Sequence, residues 1–480
     1  MKYINNWING VEVKPLKNSW LDKFNPATGR LYSLFANSLK EDVNNAIDAA
    51  NISFDSWSST TSVSRGEILF KIANKMKEEI DQLSDCVANE TGKKKSDAMG
   101  EVKGSIALGE FFAGEGRRLF GKTLNSGTEN KYSFTRLEPL GVAGLIVPAN
   151  TPIANICWKV FPALICGNSV VLKASEDAPE IALLFAKITK KAGLPDGVLN
   201  VIQGNGQNAG TTIVNDKRIN VISFTGSSQT GKLIAQQAGE RLARVSLELG
   251  GKNPFIVCDD ADLDLAVHWA SLSAFSNAGQ RCASASRFFV MNNVYDEFKE
   301  KFILKTKSLK LGIGVNDDLG PLINKRSLQS IEKHLNNAVN EGVNILIGGK
   351  RATNRIDEEG YYFEPTLLEN CDPESEISTT ELFGPIGILH LVDTLDEAIM
   401  LANNSPFGLT SVIHTRDLNN AMYFSSKIKA GVANVNMGTY GSEPHMPFGG
   451  FRESGNGTRE PGVEALSVYS ELKNISILMQ

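Results

Sequence analysis

The chain has 480 residues, 42% apolar and 21% charged, and 49 Lys and Arg set against 54 Asp and Glu leave a formal charge of -5. That is an ordinary globular balance, long enough for two large domains or about three smaller ones. It excludes a nucleic-acid-binding surface, which needs clustered positive charge, and apolar runs such as 142–147 are far too short to span a bilayer. The opening MKYINNWING has no apolar signal segment, so a cytoplasmic protein is expected. Cys86, Cys157, Cys166, Cys258, Cys282 and Cys371 include no CxxC pair, and there are only five histidines, so neither a metal site nor a disulfide framework is expected.

In chain order, Ser38-Leu39-Lys40-Glu41 has the form of a capping box before Val43, Ala46, Ile47 and Ala50. Ser64-Arg65-Gly66-Glu67 repeats that signal before Ile68, Leu69 and Ile72, so the N-terminal region is predicted to be packing helices. Tyr132, Phe134 and Arg136 alternate as a strand. From Gly141 short apolar strands are predicted over 141–147, 169–173, 197–202 and 219–224. A helix beginning at Pro179 and ending at Gly193, and another from Ser227 to about Leu242, separate them. Strands alternating with helices mean βαβ units and a parallel sheet. Beyond Gly250-Gly251 a second array follows, with strands at 254–258, 287–291, 343–347, 386–391, 409–413 and 431–435 and helices such as 295–309 and 328–339. Two arrays joined at a Gly-Gly turn imply two lobes with a cleft between them, where ligands bind. The tail 468–478 is strand-like, and pairing it with the Tyr132 segment and with another subunit would close their open edges.

Several segments carry chemistry. In Pro148-Ala149-Asn150-Thr151-Pro152, Asn150 reads as a turn residue or as an amide donor for an oxyanion at a strand end. Lys173 and Glu176 end the next strand and suit ribose hydroxyls, or a surface ion pair. Gly204–Gly210 misses the GxGxxG spacing by one residue, so Gly206 reads as part of a glycine-rich turn lining the same site. Phe224-Thr225-Gly226-Ser227 lies between strand and helix, where free N–H groups and the helix dipole favour a phosphate. Glu248, between Leu247 and Leu249, is a desolvated carboxylate with a raised pKa suited to a general base, or a solvent-facing strand end. Cys282 in Gly279-Gln280-Arg281-Cys282 is either a reactive thiol beside a cation or a buried structural cysteine.

Together these segments resemble the aldehyde dehydrogenase superfamily across essentially the whole chain. The resemblance runs in order through 148–152, 158–173 with Glu176, 224–227, 247–251, 279–282, Glu381-Leu382-Phe383-Gly384-Pro385, 404–408 and Pro447-Phe448-Gly449-Gly450. It implies an α/β fold of two Rossmann-like lobes, cofactor-binding and catalytic, plus a small β oligomerisation arm. The implied division is 1–121 with 141–250 for the cofactor, 251–452 for catalysis, and 122–140 with 453–480 for the arm. It implies Cys282 as nucleophile, Asn150 and the Cys282 N–H as oxyanion donors, Glu248 as hydrolytic base and Glu460 in proton relay. It assigns cofactor contacts to Lys173, Glu176, Gly206, Thr225, Gly226, Ser227, Leu249, Glu381 and Phe383. Trp158, Thr151, Phe448 and Arg281 are expected at the substrate. Thr151 stands where an aromatic is common, which suggests a wider or more polar tunnel; Thr380 and Ala174 also depart from the usual pattern.

A carboxylate at Glu176 would repel a 2′-phosphate, so NAD is expected over NADP, though Lys173 could offset the charge. Arg281 suits the carboxylate of a polar semialdehyde, or else an ordinary salt bridge. The expected function is oxidation of an aldehyde to the acid through a Cys282 thioester, by a homodimer or homotetramer. The alternatives are a CoA-acylating dehydrogenase, a cysteine hydrolase using one of His268, His334, His390, His414 or His445, and a binding protein without turnover.

Overall fold

The structure is a computed structural model that describes residues 1–352 and 359–480. Its first large sheet has seven strands in the order Arg244–Glu248, Ile219–Thr225, Val142–Ile146, Ser169–Lys173, Leu199–Ile202, Asn6–Ile8 and Val11–Val13. The first five are parallel and the last two are antiparallel additions at one edge. Every residue of Ser169–Lys173 and Leu199–Ile202 is buried, because helices cover both faces. On one face, Leu145, Val170 and Leu172 pack with Ile153, Phe161 and Phe185 of the helices Pro152–Cys166 and Pro179–Lys191. On the other, Val142, Val171 and Ile222 pack with Val43, Ala46 and Ile47 of Lys40–Ser58. Strand Val142–Ile146 has Ser169–Lys173 on one side and Ile219–Thr225 on the other. The chain order reverses there, which opens a crevice at the carboxyl ends of the strands.

The second sheet also has seven strands, ordered Asn344–Ile347, Thr366–Glu369, Ile386–Val392, Ala285–Met291, Asn253–Val257, Thr410–His414 and Val432–Val435. Only Asn344–Ile347 runs antiparallel to its neighbour. Successive residues of its central strands serve opposite cores. Phe255, Val257, Phe288 and Val290 face the helices Leu263–Phe275 and Asn292–Ser308, while Ile256 and Phe289 face Leu395–Asn403 and Leu418–Lys427. Lys131–Pro139 pairs with Ser470–Leu478 along its whole length, with Tyr132 opposite Ile477 and Phe134 opposite Ile475. Two α/β lobes and a small β arm are thus present as expected.

The N-terminal region departs from expectation. Five strands, Tyr3–Ile4, Asn6–Ile8, Val11–Val13, Trp20–Phe24 and Leu31–Ala36, precede the first helix. The first three, of two or three residues, are too short to show a period, and Asn6–Ile8 is buried throughout rather than alternating. Both capping signals are displaced. Leu39, not Ser38, precedes the helix, and its N–H donates to Asp42 Oδ2 at 3.0 Å, while Ser38 Oγ donates to Asn6 Oδ1 at 2.9 Å. The second helix, Ser62–Glu78, is capped by Thr61, whose Oγ1 accepts the Ser64 N–H at 3.1 Å. Strand Thr366–Glu369 lies outside the strands expected from the sequence.

Candidate active site

Asn150 lies in the turn between strand Val142–Ile146 and helix Pro152–Cys166. Its Nδ2 donates to Gln280 O at 3.1 Å, and its Oδ1 accepts from Asn155 Nδ2 at 3.2 Å. A primary amide has two hydrogens, so one remains for a ligand. The backbone carbonyl of Asn150 accepts from Lys93 Nζ at 2.8 Å and from Asn277 Nδ2 at 3.2 Å. The turn is therefore gripped from two distant segments.

The loop carrying Cys282 is wound unusually. Asn277, Ala278 and Gly279 all have positive φ, at 54°, 54° and 70°. For Ala278 that costs about 1–2 kcal/mol, and a side chain at residue 279 would collide with Gly384 O, 2.1 Å from the Cβ position. Gln280 holds the loop: its Nε2 donates to Asn277 O at 3.1 Å and Pro321 O at 3.2 Å, and its Oε1 accepts the Ile323 N–H at 2.7 Å. Asn253 Nδ2 fixes the Cys282 carbonyl at 2.7 Å. Among the described residues, the Cys282 N–H donates no hydrogen bond. The other five cysteines are buried, whereas Cys282 is half-buried on the wall of a cavity. Burial and the carboxylates Glu381 and Glu248 push its thiol up to about 12, opposed by the Ala283 N–H and Arg281. Strain of this sort collects at functional sites.

Glu248 ends strand Arg244–Glu248 and is buried, not solvent-facing. Neither carboxylate oxygen has a hydrogen-bond partner among the described residues. Burial and the nearby Glu460 raise its pKa well above the carboxylate range, against the pull of Lys159 and Arg459. Gly449 leaves room for it, since a Cβ there would sit 2.8 Å from Glu248 Oε1. Glu460 is wholly enclosed and fully partnered. It accepts from Lys159 Nζ at 2.7 Å, Ser223 Oγ at 2.9 Å, Tyr469 OH at 3.1 Å and Ser246 Oγ at 3.2 Å.

The residues expected at a dinucleotide form two groups. Lys173 is buried, with its Nζ on Ala174 O at 3.0 Å and 3.8 Å from Glu176 Oε1; Glu176 also accepts the Gly206 N–H at 2.9 Å. Gly206 opens a short π-helical turn, Gly206–Gly210, with open space where a side chain would be. Thr225 ends its strand, the Gly226 N–H reaches Glu248 O at 3.1 Å, and Ser227 caps helix Ser228–Gly239. Leu249 packs against Gly231 of that helix. In the second group, Glu381 accepts the Gly251 N–H at 3.0 Å, and burial pushes its pKa up to about 7. Phe383, at φ 53°, lines a small recess with Gly251, Arg281 and Glu381. Two carboxylates able to accept from ribose diols and a helix N-terminus able to hold a pyrophosphate are the donor set a nicotinamide dinucleotide needs.

A cavity of about 450 Å³ gathers Asn150, Thr151, Trp158, Arg281, Cys282 and Phe448. Trp158 and Phe448 meet edge to face at 5.4 Å, packed with Ala283 beside Cys282. Arg281 forms no salt bridge among the described residues; its guanidinium lies 4.9 Å over the Tyr440 ring, and its Nε is buried without a partner. Among the described residues no histidine lines this cavity. Lys93, Glu101, Asn155 and Asn277 also belong to the site's surroundings and lie outside the residues expected there from the sequence. Lys93 lies in the loop between helices Ile80–Thr91 and Lys95–Glu115 and Glu101 on the second of them, and no local motif marks either. Asn277, two residues before the Gly279 turn, could have been suspected from its tolerance of positive φ.

These features meet in one family. The chain belongs to the aldehyde dehydrogenase family, whose model matches residues 13–475. It is an NAD(P)-dependent enzyme that oxidises an aldehyde to the acid. The alpha-ketoglutaric semialdehyde dehydrogenase of Bacillus subtilis is 37% identical over 98% of this chain and 97% of that protein. The D-glyceraldehyde dehydrogenase (NADP(+)) of Picrophilus torridus is 37% identical over 95% and 92%. The crystal structure of betaine aldehyde dehydrogenase from Staphylococcus aureus in complex with NAD+ is similar at a TM-score of 0.96 and 34% identity, covering 98% of this chain and 94% of that one. Among the described residues no helix is long and apolar enough to cross a membrane.

Proposed function

We propose that this enzyme oxidises a carboxylate-bearing or similarly polar semialdehyde by hydrolytic thioester chemistry on Cys282. The observation that carries the hydrolytic part is Glu248, a buried carboxylate with no hydrogen-bond partner among the described residues, poised to take a proton from water. Cys282 Sγ, giving its proton to the Glu248 carboxylate, adds to the aldehyde carbonyl, and Asn150 Nδ2 with the Cys282 N–H holds the resulting oxyanion. The dinucleotide, when bound, supplies the hydride acceptor. Once the carbon has lost its hydride, Cys282 carries a thioester. Water deprotonated by Glu248 then releases the acid and restores the thiol, and Glu460 with Lys159 stands next to Glu248 to pass the proton on. A CoA-acylating reaction needs no such base. A cysteine hydrolase needs a histidine, which the cavity lacks.

The dinucleotide would be held by Lys173, Glu176, Gly206 and Thr225–Ser227 at its adenosine and pyrophosphate end. Leu249 would lie beside it, and Glu381 and Phe383 would hold its nicotinamide ribose. Glu176 favours NAD, because a carboxylate at the ribose repels a 2′-phosphate; initial rates with NAD and NADP separate the two. Residues 1–121 with 141–250 form the cofactor domain and 251–452 the catalytic domain; of the arm expected at 122–140 with 453–480, the strands Lys131–Pro139 and Ser470–Leu478 pair subunits into a dimer or tetramer, while Glu460 and Tyr469 pack into the first lobe. Six free thiols suit a cytoplasmic location.

Cys282→Ala is expected to abolish NADH formation. Glu248→Gln is expected to turn over slowly while accumulating an acyl-enzyme, visible by intact-protein mass spectrometry. Slow turnover with no acyl-enzyme would remove Glu248 from the base role.

A further inference from the structure

Beneath the Asn150 turn lies a buried ion pair, Lys93 and Glu101, each side chain only 5% exposed, with Nζ and Oε2 2.6 Å apart. Its remaining bonds all go to one place. Lys93 Nζ donates to the backbone carbonyl of Asn150 at 2.8 Å. Glu101 Oε1 accepts the N–H groups of Ile153 at 3.0 Å and Ala154 at 3.3 Å. Helix Pro152–Cys166 has no capping side chain of its own at Thr151, so Glu101 does that work from the helix Lys95–Glu115. The pair thus brackets the turn, the lysine before the helix start and the glutamate just inside it. A buried ion pair seldom adds net stability over an apolar replacement. What it can supply is a fixed position for the groups it bonds.

We propose that Lys93 and Glu101 are positioning residues that set the Asn150 amide relative to Cys282. This rests on the reading of Asn150 as an oxyanion donor. The two segments that must be held in register are the Asn150 turn and the Asn277–Cys282 loop. Asn150 Nδ2 on Gln280 O at 3.1 Å and Asn277 Nδ2 on Asn150 O at 3.2 Å tie them directly. The Lys93–Glu101 pair anchors the other side of the turn to the helical layer. Without it the turn is held on one side only, and a displacement of about 1 Å at a reacting centre costs on the order of a hundredfold in rate.

A double-mutant cycle tests this. Lys93→Met with Glu101→Gln leaves no lone buried charge, and the single-turnover rate of NADH formation at saturating NAD and aldehyde is measured with and without Asn150→Ala. The expected result is a loss of about 10- to 100-fold when Asn150 is present and less than about twofold when Asn150 is already replaced. Michaelis constants for both substrates should stay near wild type. Equal losses in both backgrounds, no loss in either, or a raised aldehyde Michaelis constant without a slower single turnover would overturn the proposal. If Asn150→Ala alone has no effect, the oxyanion reading fails instead. Should the double variant not fold, Lys93→Arg, which keeps the charge but changes the reach to the Asn150 carbonyl, runs through the same cycle with the same expected non-additivity.

Discussion

The Glu248 carboxylate accepts no hydrogen bond among the described residues, so burial and Glu460 decide its protonation. Both hold the carboxyl protonated at pH values where an ordinary glutamate is ionised. A base must be deprotonated to act, so kcat limited by thioester hydrolysis should climb as pH rises through the raised pKa and fall below it. Glu248→Gln should flatten that limb in a kcat–pH profile; an unchanged limb would assign it to another group. Arg281 presents a second single-residue question. It has a buried Nε without a partner and no salt bridge among the described residues, so a substrate carboxylate would complete its bonding. Charge-assisted hydrogen bonds of this sort contribute about 1.5–3 kcal/mol. Arg281→Ala should therefore lower kcat/KM for semialdehydes of dicarboxylic acids by about ten- to a hundredfold and leave simple alkyl aldehydes little changed. An unaltered ratio between the two classes would end the carboxylate reading.

At the scale of elements, the sheet of Lys131–Pro139 and Ser470–Leu478 shows how pairing and exposure diverge. Its strands pair fully with each other, and Ser133 Oγ meets Ser476 Oγ at 2.8 Å. Yet Tyr132 remains 59% exposed and Ile477 50% exposed, directly opposite each other on one face. An apolar face of this sort on an arm needs a cover. With both residues replaced by Asp, light scattering should report a smaller assembly at the same concentration, while circular dichroism of the subunit is retained. A variant with the wild-type mass would exclude this face from assembly. The two lobes show a different lesson. Their strands were legible because strands buried on both faces read as continuous apolar runs between glycine and proline signals. The short N-terminal strands were not, because Asn6–Ile8 is recruited by the edge of a sheet whose five parallel strands begin more than a hundred residues later.

At the scale of the whole molecule, the site exists only where separate segments converge. Asn150 follows a strand of the first sheet, Cys282 precedes a strand of the second, and Gln280 O joins them through a 3.1 Å hydrogen bond. The sequence by itself determined the reactive types: a cysteine beside an arginine, a glutamate between leucines before two glycines, an asparagine between prolines. It also determined the strand-and-helix alternation that makes two lobes, because period and turn chemistry are local properties. Tertiary structure alone decided their electrostatic states. Glu248 could have faced solvent by alternation, and its burial beside Glu460 comes from a segment more than two hundred residues away. The same holds for Lys93 and Glu101, which no local pattern marks, and for Arg281, which stacks on Tyr440 with no salt bridge among the described residues. Desolvation and long-range pairing depend on what packs against a group, and that is fixed only when the chain has folded.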